Sequence, residues 1–276
     1  YQNKIGSISD FRTIRFMRMF MTGFTEEITV RFAAVELVRG EWRQYLSTLD
    51  PNETDIQNED DNTVFESIAV NVQENSNRTP INYVLPPGVA REQLYNNNSV
   101  INQNEQSLSL RVTPKNNNIP GGLEPEDSRA VFKNVEVDLR QFEKLKMFIH
   151  AEAIENNLDP NRLNDDEMVA FIRFGNDFSQ NFYQVEIPLK VTPHGTTSAE
   201  EIWPKDNEID LQLSLLTQLK VLNINGANPD PDEIYFLNED ELDPSLVNKP
   251  NKLRLGIKGN PNFGLVRTLI DRKSVV

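Results

Sequence analysis

Apolar and polar residues alternate one by one along most of this chain. Leu108, Leu110 and Val112 point one way, with Ser107, Ser109 and Arg111 opposite. Val135, Val137 and Leu139 alternate with Glu136 and Asp138, and Leu145, Met147, Ile149 and Ala151 with Lys146, Phe148, His150 and Glu152. Tyr183, Val185, Ile187, Leu189 and Val191 repeat the pattern against Gln184, Glu186, Pro188 and Lys190. A period of two is the signature of a strand, whose side chains point alternately to opposite faces. In one run, Val169, Phe171 and Arg173 interleave with Ala170, Ile172 and Phe174, which predicts a strand buried on both faces. Leu211, Leu213 and Leu215, then Leu253, Leu255 and Ile257, then residues 266–270, complete the set. Short strands joined by polar turns predict an all-β fold, an antiparallel β-sandwich of jelly-roll type. A transmembrane barrel alternates in the same way, but its strands need about 9–11 residues and aromatic girdles. Most runs here are five to eight residues and aromatics are 8% of the chain, which favours the water-facing sandwich.

Composition supports turns and strands over long helices. Asn outnumbers Leu by 32 to 26, and Pro is 16 against Gly at 12. The 276 residues suffice for one large domain or two modest ones. The net charge of −14 repels phosphate and argues against nucleic acid as a partner. That charge is unevenly placed: residues 1–49 carry seven basic and five acidic side chains, residues 50–276 carry 21 and 37. The expected organisation follows from this shift. Residues 1–49 read as the C-terminal strands of a preceding β domain, a partial hairpin with strands at 13–20 and 28–39. Residues 50–62 read as an acidic linker, 63–270 as the β-sandwich and 271–276 as a truncated tail. The chain begins at Tyr1 inside strand-like sequence, so it reads as a fragment of something larger. A faint repeat agrees: Gly6 to Phe11 leads into Ile14-Arg15-Phe16, and Gly259 to Phe263 leads into Val266-Arg267-Thr268. No apolar run reaches the length of a spanning helix.

Candidate chemistry is sparse. With no Cys there are no disulfides, thiolate metal sites or cysteine nucleophiles, and two His make an imidazole-rich site unlikely. His150 and Glu152 form an H-x-E pair, but the P-C-x-x-C partner of a zinc deaminase is missing, so they read as a strand His and Glu on the polar face. His194 reads as a turn residue after a strand. Asp165, Asp166 and Glu167, or Asp230, Asp232 and Glu233, could offer oxygens to Ca²⁺ but lack the EF-hand spacing, and solvated loop charge is the simpler account. Trp42, Phe182, Tyr183 and Trp203 are the aromatics available for a sugar platform, although Tyr183 falls on an apolar face and Trp203 reads as a loop anchor. Sequons at Asn52, Asn77 and Asn97 carry little weight in so Asn-rich a chain. No catalytic residue, metal ligand or cofactor site is assigned, and no enzyme activity is expected.

Several stretches are more specific. Val70-Asn71-Val72-Gln73-Glu74-Asn75 is followed by Pro80-Ile81-Asn82-Tyr83-Val84-Leu85-Pro86-Pro87-Gly88, then by Asn104-Glu105-Gln106-Ser107-Leu108 and Asp127-Ser128-Arg129-Ala130-Val131-Phe132-Lys133. Asp138-Leu139-Arg140-Gln141-Phe142, Leu145 to Glu152, and Glu186-Ile187-Pro188-Leu189-Lys190-Val191-Thr192-Pro193 complete the series, ahead of Glu200 to Pro204. Their order and spacing resemble the SprA/Sov family over essentially the whole chain. That resemblance implies an outer-membrane, cell-surface translocon of the type IX secretion system, required for protein export and gliding motility in Bacteroidota. Such a protein is a very large single-chain β-barrel with extramembrane domains. Its implied partners are other secretion-system proteins and exported protein substrates, with no catalytic residues. The whole protein would be embedded in the membrane, and strand length places this fragment outside it. The alternative carried alongside is a carbohydrate-binding or calcium-dependent jelly-roll domain of a cell-surface protein.

Overall fold

A computed structural model describes residues 22–26, 29, 42–45, 63–96, 99–114, 128–154, 163–237, 253–264 and 266–275. The chain divides into two compact units, Tyr1–Arg39 and Gly40–Val276. In the first unit the described residues include a bend after Gly23, whose φ is +88°, with Phe24 exposed beside it. The strand expected at 13–20, nearly all of that at 28–39, and the 50–62 linker lie outside the described residues.

The second unit is strand-rich, and the all-β class holds. Its strands are β1 (Arg43–Tyr45), β2 (Thr63–Asn71), β3 (Gln93–Asn96), β4 (Ser99–Asn102), β5 (Gln106–Pro114), β6 (Ser128–Val137) and β7 (Lys144–Met147). They continue as β8 (Met168–Gly175), β9 (Phe182–Pro188), β10 (Ile209–Gln212), β11 (Tyr235–Phe236), β12 (Arg254–Lys258) and β13 (Val266–Val275). Three α-helices intervene: α1 (Val72–Asn75), α2 (Ala199–Ile202) and α3 (Leu213–Ile224). A seven-stranded antiparallel sheet runs in the order β1-β6-β13-β8-β9-β12-β11, and β10-β7, β2-β5 and β3-β4 form separate two-stranded ribbons. Strand β1, which the sequence groups with the preceding domain, pairs through Arg43 and Phe132 with β6. Strand β13 continues through Val275, so residues 271–275, expected as a tail, pair with β6 and β8 up to Ser274 and Val275 respectively.

The centre of the sheet is buried on both faces, as the interleaved pattern of β8 predicts. Ala170, Ile172 and Phe174 face one side with Tyr183, Val185 and Ile187 of β9, and Phe171 and Arg173 face the other with Phe182 and Gln184. The first side is the main core. It is closed by the inner face of the β7–β10 ribbon, where Leu145 pairs with Leu211, and by Leu215, Leu216 and Leu219 of α3. Where a jelly roll would place a second broad sheet, a ribbon and a helix cover this face among the described residues.

Helix α3 corrects one sequence expectation. Leu211, Leu213 and Leu215 alternate, but only Leu211 is in a strand; the chain turns helical at Leu213. Leu215, Leu216 and Leu219 are spaced for one helical face, and all three are buried. Asn225-Gly226 ends the helix: Gly226 has φ +89°, its amide donates to Asn223, and the Ala227 amide donates to Leu222.

The β8–β9 hairpin turns on Asp177. Its Oδ1 accepts the amides of Ser179 (3.0 Å), Gln180 (2.6 Å) and Asn181 (3.0 Å), and its Oδ2 accepts Asn181 Nδ2 (2.9 Å). Partial burial raises this carboxyl, but the Asn181 side chain and the three amides outweigh it and hold it below its ordinary value. Asn176 and Asn181 then accept the amides of Asn262 and Asn260, tying the β12–β13 loop to the same end of the sheet.

Candidate functional site

A polar constellation outside the sheet gathers where residues 70–84 meet residues 148–152 and 192–203. Asn71 begins α1 as a cap, accepting the Glu74 amide at 2.9 Å, and the helix turns back after a single turn. Asn75 O then accepts both Arg78 N (3.1 Å) and Tyr83 N (2.9 Å), which closes residues 75–83 into a loop. That loop buries Ile81 and Tyr83 against Ile202 and Trp203, with Phe148, Val70, Val72 and Val84 packed around them. Trp203 is only 8% exposed; Tyr83 meets it edge-on at 6.2 Å, and its Nε1–H donates to Val84 O at 2.9 Å.

His150 and Glu152 sit at the rim of this small core. His150 Nδ1–H donates to Ile202 O at 2.7 Å, Thr192 Oγ1 lies 3.2 Å from the same nitrogen, and the ring stands 5.8 Å from Trp203. His150 Nε2 lies 3.2 Å from Glu152 Oε2. The other Glu152 oxygen accepts both terminal nitrogens of Arg78, one at 2.6 Å. Burial raises the Glu152 carboxyl, but hydrogen bonds from His150 and Arg78 and the Arg78 charge outweigh it, and the group titrates below its ordinary value. The H-x-E pair thus anchors a loop; sequence spacing alone gives no sign of Arg78, which lies 74 residues from Glu152.

A second network crosses the other face of the sheet. Arg173 is 5% exposed, lies 3.9 Å above the Phe182 ring, and donates to Gln184 Oε1 (2.9 Å) and Phe178 O (3.0 Å). Gln184 in turn donates to Glu186 (2.6 Å), which accepts Arg254 at 2.9 Å, and Arg254 stacks 4.2 Å over Phe236. Burial pulls the Arg173 guanidinium down to about 10, against the nearby Tyr45 and Glu186. Every member lies on strands β8, β9, β12 or β11 or the β8–β9 hairpin, so this is a cross-strand ladder that holds register.

The remaining candidates resolve into local structure. His194 Nε2–H donates to Ala153 O at 2.7 Å. Asp165 accepts the Val191 amide at 2.8 Å, Glu167 accepts the Asn164 amide at 2.7 Å, and Asp230 accepts the Asp232 amide at 2.9 Å. Among the described residues no three His, Asp or Glu side chains gather as a metal site. Phe182, Tyr183 and Trp203 are buried, and Trp42 is half-buried with Lys133 5.4 Å over its ring, so these four do not make an exposed aromatic platform. A shallow open groove of about 360 Å³ is lined by Phe142, Glu143, Lys144, Gln212 and Ser214. The sequons at Asn52 and Asn97 lie outside the described residues; Asn77 is exposed in the turn after α1.

The described residues form a strand-rich body whose two main polar networks are committed to a loop and to a cross-strand ladder. Residues 1–272 match the model of the SprA N-terminal family, described as motility related/secretion protein, and the chain belongs to that family. A search of curated proteins returned no match. The resemblance in the 70–88, 127–152 and 186–204 stretches is thereby borne out.

Proposed function

We propose that this chain is an extramembrane segment of an outer-membrane type IX secretion translocon. It serves protein export and gliding motility as a scaffold for other secretion-system proteins and exported substrates, without catalysis. The observation that carries this reading is the family match over residues 1–272, a family of motility and secretion proteins. The strand pattern supports the extramembrane placement. Lipid-facing barrel strands keep one apolar face outward, whereas β8 and β9 bury both faces within protein. No helix among the described residues is long and apolar enough to cross a membrane. The polar networks support the non-catalytic part, because Arg78, Glu152, Arg173, Glu186 and Arg254 each bind a structural partner.

Deleting residues 63–270 from the full-length protein is expected to abolish secretion of an exported reporter and colony spreading while the barrel still reaches the outer membrane. Normal export by that deletion would remove the assigned role.

A further inference from the structure

The β2–β5 ribbon has one edge engaged and the other open. Its register runs unbroken from Thr63 opposite Pro114 to Asn71 opposite Gln106. In an antiparallel pair, facing residues either exchange both backbone bonds or turn both groups outward, in alternation. Gln44 Nε2 donates to Phe65 O at 2.7 Å from outside the ribbon, and the Asn71 amide donates to Asn75 Oδ1 at 2.8 Å. Phe65, Ser67, Ala69 and Asn71 therefore turn their backbone groups away from β5. By the same alternation Val112, Leu110, Leu108 and Gln106, which face them, turn theirs away from β2. Among the described residues no strand pairs with that side of β5.

This edge lacks the devices that protect a lone strand. Proteins blunt exposed edges with lysines, an internal proline or a bulge. The stretch Gln106–Pro114 carries a single charge, on Arg111, its proline is the last residue, and its register has no shift. One face of the ribbon is apolar, with Leu108, Leu110 and Val112 of β5 beside Phe65 and Ala69 of β2. These side chains are half-buried or exposed, and none joins a buried core cluster among the described residues. Two strands alone are marginal, whereas a wider sheet with an apolar face is stable.

The open edge is complementary to itself. When a second β5 lies antiparallel with Leu110 at the centre, Leu110 faces Leu110 of the other copy and Leu108 faces its Val112. Residues that turn outward then meet residues that turn outward, so the two backbones exchange bonds. Apolar side chains meet on one face, and Ser109 meets Arg111 on the other, with no like charges directly opposite. In a chain of net charge −14, the meeting strands add no acidic repulsion of their own.

We propose that β5 is a dimer edge: two copies of this chain join their β2–β5 ribbons through antiparallel β5 strands centred on Leu110, making one four-stranded sheet. Because the β2 edge is engaged at Phe65 and Asn71, the pairing closes as a two-fold dimer and does not extend into a filament. The inference goes beyond the translocon reading and does not depend on it.

The chain has no cysteine, so one introduced thiol reports the contact. At the two-fold axis the Cα atoms of the two Leu110 residues sit about 5.5 Å apart, within disulfide reach, and those of the two Val112 residues about 14 Å apart, beyond it. Under mild oxidation of the 276-residue chain, Leu110→Cys is expected to form a disulfide-linked dimer at least about tenfold faster than Val112→Cys. Sedimentation velocity of the unaltered chain is expected to show a concentration-dependent dimer. Leu110→Lys, which sets two like charges face to face at the axis, is expected to lose that dimer with an unchanged circular dichroism spectrum. If Leu110→Lys unfolds the chain, the cysteine comparison decides alone. A chain that stays monomeric at every concentration overturns the proposal, which is also the outcome if β5 takes a strand from a different protein. Equal crosslinking at 110 and 112 overturns it too, as does a dimer that survives a folded Leu110→Lys.

Discussion

Arg173 is held by geometry more than by charge. Its guanidinium stacks on Phe182 and donates to Gln184 and Phe178 O, while its nearest carboxylate, Glu186, is reached only through Gln184. A buried cation of this kind adds packing and fixes register, and its net electrostatic worth is small after desolvation. Arg173→Ala, which opens a cavity and strands Gln184, is expected to cost about 3 kcal/mol in urea unfolding. Arg173→Met, which keeps the volume over Phe182, is expected to lose less than half as much; equal losses would make charge the dominant factor. Glu152 behaves in the opposite way, because its charge is the shared acceptor of His150 and Arg78. Its carboxyl titrates below the unfolded value of about 4.3, so the folded state binds its proton less readily than the unfolded one. Its contribution is therefore complete above that unfolded value and is lost as pH falls through the lower folded value. Following Trp203 emission through acid titration should show the loop loosening in that window, and Glu152→Gln should remove the transition. The sequence reads His150 and Glu152 as a strand pair, whereas β7 ends at Met147 and both residues lie beyond it; Arg78 carries no signal in the sequence, because nothing local marks which loop a carboxylate will meet.

At the scale of elements, α3 shows where alternation misleads. The leucines at 211, 213 and 215 fit a strand, while those at 215, 216 and 219 fit a helix, and the two readings share residues. The paired β7 and β10 absorb Leu211; the ladder ends at Gln212 opposite Lys144, the Leu213 amide donates to Glu143 O, and from Leu213 the backbone satisfies itself as a helix. Asn225 and Gly226 end the helix, Gly226 with a φ of +89°. Leu219 is fully buried in the main core, whereas Val221 is 52% exposed on the outer side of the same helix. Leu219→Ala is expected to lower the unfolding free energy by about 2–5 kcal/mol, and Val221→Ala by less than about 0.5 kcal/mol, by chemical denaturation. Equal effects would mean that α3 does not close the core.

Across the whole second unit, chain order and spatial order disagree in one decisive place. The last strand, β13, lies between β6 and β8 near the middle of the seven-stranded sheet, hydrogen-bonded on both sides. A chain ending at Gly264 would leave β6 and β8 with unpaired edges and separate β1 and β6 from the rest. It is expected to lack the cooperative thermal transition expected by circular dichroism of the chain to Val276; a retained sharp transition would place the folding unit in β8, β9, β11 and β12 alone. The sequence by itself determined the strand content, the two-sided burial of β8 and the family, because these depend on local alternation and on ordered motifs. The tertiary structure alone decided that β13 is central, that a ribbon and a helix cover the main core, and that Arg78 meets Glu152. Those outcomes depend on which distant backbone edges and side chains find one another, and the period of a pattern specifies which face is apolar without specifying what will cover it.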